Sequence, residues 1–176
     1  RQMCIRDSRK IALFCNIEPS AVIEAVDADT IYDVPLFMKE EGLDREVLRK
    51  LNLPSGQEPK LIEWKEFLTR FKNPTGEVNI GLIGKYVELK DSYLSIHEAL
   101  VHAGVKNDVK TNIIRIHSED LEELSDEEVA RELGDLDGIL VAPGFGSRGI
   151  EGKIKAIKYA RTGNVPFFGI CLGMQC

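Results

Sequence analysis

From Val78 onward the chain alternates short apolar runs with amphipathic stretches, and this alternation constrains the fold more than any other feature. Val78–Gly84, Val109–Ile116, Gly138–Ala142 and Val165–Ile170 read as strands, the last of them as a buried one. Helical spacing lies between them, in Ser92–Ala103, in part of the acidic stretch Ser118–Asp137, and in Ile150–Arg161. Strand and helix in strict alternation is the pattern of a parallel sheet with helices on both faces, so the expected class is α/β, a three-layer parallel sheet. The breaker cluster Asn73-Pro74-Thr75-Gly76 precedes the first strand. A domain is therefore expected over residues 77–176.

The residues before that boundary are less regular. Residues 1–8 show neither helical nor strand period and read as a non-native remnant. Ile11-Ala12-Leu13-Phe14-Cys15 is a five-residue apolar run, expected as a buried strand, and Ala21-Val22-Ile23 is a further extended candidate. Pro35 suits the first turn of a helix, and Leu36 to Leu51 spaces its apolar residues across two short helices broken near Gly42. Residues 53–76 form a linker with a helix of its own, in which Leu61, Trp64, Phe67, Leu68 and Phe71 share a packing face.

Two glycine-rich segments follow the last two strands, where parallel sheets gather their chemistry. Gly169-Ile170-Cys171-Leu172-Gly173 is a Gly-x-Cys-x-Gly turn, the thiol counterpart of the nucleophile elbow. A nucleophile on so tight a strand-to-helix turn needs neighbours without Cβ atoms. The helix opening at Leu172 would aim free N–H groups at the sulfur and lower its pKa from the usual value of about 8.5. A cysteine that merely packs at a strand end explains the turn equally well. The second segment, Pro143-Gly144-Phe145-Gly146-Ser147-Arg148-Gly149, can present backbone N–H groups to an oxyanion facing Cys171. The pair together favours catalysis. His97, His102 and His117 are poor candidates for the base, which is expected beyond residue 176.

Composition narrows the partners. A net charge of −6 and a pI near 5.2 give no sign of a nucleic-acid surface. Ten acidic residues in Ser118–Asp137 read as a solvated helix and its flanks. Cys4, Cys15, Cys171 and Cys176 have no metal-ligand or disulfide spacing, and no apolar run approaches the ~20 residues of a membrane span. A reduced, cytoplasmic setting is the default expectation.

Longer motifs then carry a resemblance. Gly169-Ile170-Cys171-Leu172-Gly173-Met174-Gln175 resembles the nucleophile segment of class I glutamine amidotransferases. Arg9-Lys10-Ile11-Ala12-Leu13-Phe14-Cys15-Asn16, Gly84-Lys85-Tyr86-Val87-Glu88-Leu89, Ser92-Tyr93-Leu94-Ser95 and Gly144–Gly152 narrow it to the CTP synthases, over residues 9–176. The resemblance implies an enzyme that makes CTP from UTP, Mg-ATP and glutamine, typically as a homotetramer activated by GTP. It implies that residues 9–52 end an amidoligase domain of P-loop type. Residues 77–176 would begin a flavodoxin-like glutaminase domain.

By the same resemblance, Cys171 is the nucleophile. Gly144 and Leu172 form the oxyanion pair, with Gly173, Met174 and Gln175 lining the glutamine site. Lys10 is similar to a UTP/CTP contact, and Val26, Asp27 and Ala28 to the adenine site, with Val26 replacing a basic residue often found there. Arg148, Gly149 and Glu151 resemble the GTP-activation loop. Pro143 stands where many members have glycine, so a donor at that turn must be Gly144 itself. The family's metal carboxylates and its triad His and Glu have no counterpart in residues 1–176, so the chain by itself is expected to be inactive. Two other readings fit parts of the pattern: another class I glutaminase domain, and a non-catalytic flavodoxin-like scaffold. Lys10–Pro35 weighs against the first, and the intact Cys171, Gly144 and Gln175 against the second.

Overall fold

The computed structural model describes residues 5–176. The chain divides into two compact units, Arg1–Leu68 and Thr69–Cys176, with the division inside a helix. The first unit holds α1 (Ile5–Cys15), a 3-10 turn at Pro19–Ala21, α2 (Val34–Glu40), α3 (Leu43–Lys50) and the start of α4 (Ile62–Lys72).

Three sequence expectations change here. Ile11–Cys15 is helix, not strand, and Ile5–Ser8 form the first turns of that helix rather than an aperiodic lead; residues 1–4 lie outside the described residues. A five-residue apolar run is ambiguous between helix and strand, and a strand needs a neighbour for its ladder. The helix buries Ala12 and leaves Leu13 and Phe14 exposed. Ala21–Ile23 forms no strand either: Pro19 starts a single 3-10 turn, closed by the Val22 N–H donating to the Pro19 carbonyl.

The expected break near Gly42 is present, because Gly42 adopts φ 79°, a left-handed conformation that suits glycine between α2 and α3. The Trp64 Nε1–H donates to the Tyr32 carbonyl at 2.9 Å, and Tyr32 meets the Trp64 and Phe67 rings edge-on. The aromatic stripe of α4 is packing, as its spacing suggested.

The second unit is a four-stranded, fully parallel sheet: β1 (Gly76–Gly84), β2 (Val109–His117), β3 (Gly138–Val141) and β4 (Phe167–Gly169), in the order β2-β1-β3-β4. α5 (Leu94–Lys106), α6 (Asp126–Glu132) and α7 (Ile150–Thr162) make the crossovers, and α8 (Leu172–Gln175) follows β4. Adjacent residues of the central strands face opposite layers, as the pleat requires. Leu82 and Leu140 join Val87, Tyr93 and Ala142, with Ile96 and Leu100 of α5 packed against them. Ile83, Ile139 and Val141 join Val129 and Leu133 of the α6 segment and Ala156 and Ala160 of α7. Three layers result.

The acidic stretch is solvated only on its outer side. Its inner side buries Leu121, Val129, Leu133 and Leu136, and Ser125 caps α6 reciprocally with Glu128. The Ser125 backbone N–H donates to the Glu128 carboxylate, which holds that carboxyl below the usual range. One strand departs from expectation. Phe167 and Phe168 of β4 are exposed, because β4 is one of the two edge strands among the described residues and pairs there only with β3.

Strand order reverses between β1 and β3, and such a switch point opens a crevice beyond the strand ends. α7 is pressed close to the β2–α6 segment there: a Cβ on Gly152 would stand 1.7 Å from the Ser118 carbonyl oxygen. Gly152→Ala should therefore cost at least about 3 kcal/mol by forcing a backbone shift. Gly56→Ala, with open space around it, should stay within about 0.5 kcal/mol. Denaturant midpoints of the two variants check the contrast.

Candidate active site

The carboxyl ends of β3 and β4 build one site from two turns, and the end of β1 adds the side chain of Lys85. After β4 the chain reverses through Cys171, which adopts φ 53° and ψ −112°. That is a costly conformation for a side chain with a Cβ, and it persists only where the surroundings enforce it. Two glycines provide the enforcement. A Cβ on Gly169 would lie 2.4 Å from the Gly173 carbonyl oxygen, and one on Gly173 would lie 2.1 Å from the Val141 carbonyl oxygen. α8 thus starts in direct backbone contact with β4 and β3, leaving the Cys171 side chain exposed at the rim. Leu172 supplies the first amide of α8, an N–H with no carbonyl one turn behind it to accept.

The second turn leaves β3. Ala142 is fully buried, and its N–H donates to the Ile83 carbonyl at 2.8 Å. Pro143 and Gly144 follow, and the loop then swings outward through Phe145 and Gly146, which has φ 74°. Two lysines hold this loop from inside. Lys85, buried at the end of β1, donates from Nζ to the Phe145 carbonyl at 2.7 Å and the Gly146 carbonyl at 2.6 Å. Lys153, fully buried on α7, donates from Nζ to the Ala142 carbonyl at 2.7 Å. Burial, then the neighbouring Lys85 ammonium, push the Lys153 amine below its ordinary pKa, with Cys176 and Cys171 acting in the opposite sense. Sequence reasoning missed both lysines as site residues. The signal for Lys153 was its position three and seven residues before Ala156 and Ala160, on the buried stripe of α7.

At its far end the loop is tied down by charge and by a close approach. Arg148 pairs with Glu119 at 2.6 Å, and its guanidinium lies 5.8 Å from the centre of the Tyr86 ring. Gly149 has φ 71°, and a Cβ there would meet the Ser118 hydroxyl. Glu151 is exposed on the first turn of α7. Cys171, Leu172, Gly173, Met174, Gln175 and Gly144 therefore share one end of the sheet, with Arg148 and Gly149 in the loop after β3 and Glu151 on the first turn of α7. Lys10, exposed on α1, and the Val26-Asp27-Ala28 segment belong to the other unit. His97 and His102 lie on α5 and His117 ends β2. Among the described residues no cluster of His, Cys, Asp or Glu could hold a metal ion, and no helix is long and apolar enough to cross a membrane.

An exposed thiol on a strained turn, beside buried cations and glycine amides, can attack a carbonyl and hold the charge that develops. The lowered Lys153 pKa also has a thermodynamic consequence. The unfolded chain binds a proton at this lysine up to pH 10.5, whereas the folded chain releases it earlier, so the unfolded state binds more protons in that window. Stability contributed by this site should rise with pH as it approaches 10.5. Melting temperatures of the wild-type chain and Lys153→Met across the alkaline range check it: the wild type should gain relative to the variant.

Comparison with known proteins bears on both units. The family profile "Glutamine amidotransferase class-I" matches residues 88–176, and "CTP synthase N-terminus" matches residues 1–53. A CTP synthase of Flavobacterium psychrophilum is 61% identical over 94% of this chain and 30% of its own length. One of Methanocaldococcus jannaschii is 61% identical over 95% of this chain and 31% of its own length. The chain thus spans about three tenths of the curated relatives it matches. A solved structure, a Trypanosoma brucei CTPS glutaminase domain with bound acivicin, is 39% identical with a TM-score of 0.51, covering 56% of this chain and 38% of that one. With a sheet of this topology, a cysteine on a glycine-flanked turn and a profile matched over half its length, the chain belongs to the class I glutamine amidotransferase family.

Proposed function

We propose that this chain is part of a CTP synthase, an ATP-dependent ligase that aminates UTP with ammonia released from glutamine. The observation that carries the reading is Cys171 at positive φ between two glycines that have no room for a Cβ. The similarity to relatives named CTP synthase across both units supports the ligase half.

In this reading the Cys171 thiolate attacks the side-chain amide carbon of glutamine. The carbonyl oxygen becomes an oxyanion that accepts from the N–H groups of Gly144 and Leu172. Collapse of the tetrahedral intermediate expels ammonia, once its nitrogen is protonated, and leaves a glutamyl thioester. Water then hydrolyses the thioester to glutamate and restores the thiol. Gly173, Met174 and Gln175 line the glutamine site from α8. Proton transfer falls to a His and a Glu outside residues 1–176, as the resemblance implies. A thiol on so strained a turn is placed for attack at little further entropic cost.

In the ligase half of this reading Lys10 would contact UTP or CTP and Val26, Asp27 and Ala28 the adenine of ATP, with the Mg²⁺ and ATP sites mostly outside this chain. There ATP phosphorylates UTP, and ammonia displaces the phosphate. GTP would act on the loop that holds Arg148, Gly149 and Glu151. The complete protein is proposed to be a cytoplasmic homotetramer that acts on small-molecule substrates, with no nucleic-acid or membrane partner.

Cys171→Ala in the complete protein tests the reading. CTP formation with glutamine as nitrogen source should fall by at least about a thousandfold. Formation with ammonium salts should remain within about twofold of wild type. Glutamine use that survives the substitution would remove Cys171 from the mechanism.

A further inference from the structure

We infer that Lys153 is a positioning residue for the Gly144 amide, acting through the Ala142 carbonyl on the chain reversal at the end of β3. This rests on the reading of Cys171 and Gly144 as the glutamine-hydrolysing site.

A fully buried ammonium is an expensive way to fill a helix–sheet interface, where leucine or methionine would pack without desolvation cost. The groups that act on its charge are Lys85, which opposes it, and Cys171 and Cys176, which favour it in their thiolate form; no carboxylate is among them. What the amine does is donate, at 2.7 Å, to the last carbonyl before Pro143. That carbonyl sits where the ladder runs out: the Ala142 N–H is still held by Ile83, but the next residue has no N–H.

The consequence for Gly144 follows from the covalent chain. Ala142 is held on its N–H side by β1 and on its carbonyl side by Lys153, and the ring of Pro143 locks that residue's φ. Only the ψ of Pro143 then separates the fixed segment from the Gly144 N–H. On the far side, Lys85 turns the Phe145 and Gly146 carbonyls inward. The Gly144 peptide is thus suspended between two ammonium-held segments, and a Cβ on Gly144 would lie 3.6 Å from Lys153 Nζ and 3.5 Å from the Lys85 side chain. Loss of the Lys153 bond frees the Ala142 carbonyl to rotate, and with it the Gly144 amide.

The test uses the complete protein with Lys153→Met, which keeps length and apolar volume, and Lys153→Gln, which keeps an N–H donor without charge. Thermal melts and ammonia-dependent CTP formation report folding in each. For the Met variant, kcat for glutamine hydrolysis should fall about ten- to a hundredfold, with KM for glutamine moved less than about threefold, because the interaction acts on the developing oxyanion. The Gln variant should recover at least about a third of the lost factor on a logarithmic scale. A folded Met variant with wild-type kcat, or a folded Gln variant no better than Met, would overturn the inference. If the Met variant does not fold, the Gln variant decides alone: kcat lowered about three- to twentyfold with KM for glutamine moved less than about threefold supports it, and a wild-type kcat or a larger loss overturns it. Cys171→Ala separates the two levels. Glutamine use surviving that substitution sinks the site reading itself, whereas loss of glutamine use together with a wild-type Lys153→Met sinks only the role of Lys153.

Discussion

The site depends on how closely three backbone segments approach one another around the Val141 carbonyl. That oxygen accepts the Ile170 N–H at 3.0 Å, which extends the β3–β4 ladder one residue past the end of β4. The same oxygen would stand 2.1 Å from a Cβ on Gly173, so α8 passes over it with nothing between. Chain direction must therefore reverse within a single residue after Ile170, and Cys171 absorbs the reversal in its positive φ. The strain is maintained by the ladder on one side and the packing of α8 on the other. It keeps the Cys171 side chain exposed while Gly173, two residues on, stays buried.

Much of this arrangement is legible in the amino-acid order, for reasons particular to each element. Strands of a parallel sheet are covered on both faces, so Ile80–Gly84 and Gly138–Ala142 appear as unbroken apolar runs, and their regular alternation with helical segments assigns them as strands. Gly-x-Cys-x-Gly is legible because only glycine fits where Gly169 and Gly173 fall. Ile11–Cys15 forms helix where a strand is expected because five apolar residues carry no period long enough to separate the two, and the decision lies in neighbours that a local pattern does not contain. Phe167 and Phe168 were read as buried because hydrophobicity says nothing about which strand of a sheet is outermost. Lys85 and Lys153 escaped notice for a different reason: a periodicity count treats a lysine as a gap in the apolar stripe, and long amines are normally solvated.

Those two lysines explain how a glycine loop can be both free of side chains and well ordered. Glycine gives the backbone access to a ligand at the cost of conformational entropy, so Gly144, Gly146 and Gly149 would by themselves make a floppy reversal. Order comes from outside the loop, through four anchors of different kinds. Lys153 holds its first carbonyl, Lys85 holds two in its middle, and Arg148 pairs with Glu119 near its end. Gly149, pressed against Ser118, closes it onto α7. The first two anchors are buried cations bound to carbonyls: Lys85 turns two carbonyls inward and the N–H groups of their peptides, those of Gly146 and Ser147, the other way, whereas Lys153 fixes a carbonyl whose peptide nitrogen is that of Pro143 and carries no N–H. Buried charge, costly as packing, is thereby converted into a fixed direction for backbone dipoles beside a thiol, which is the electrostatic preorganisation an acyl-transfer site needs.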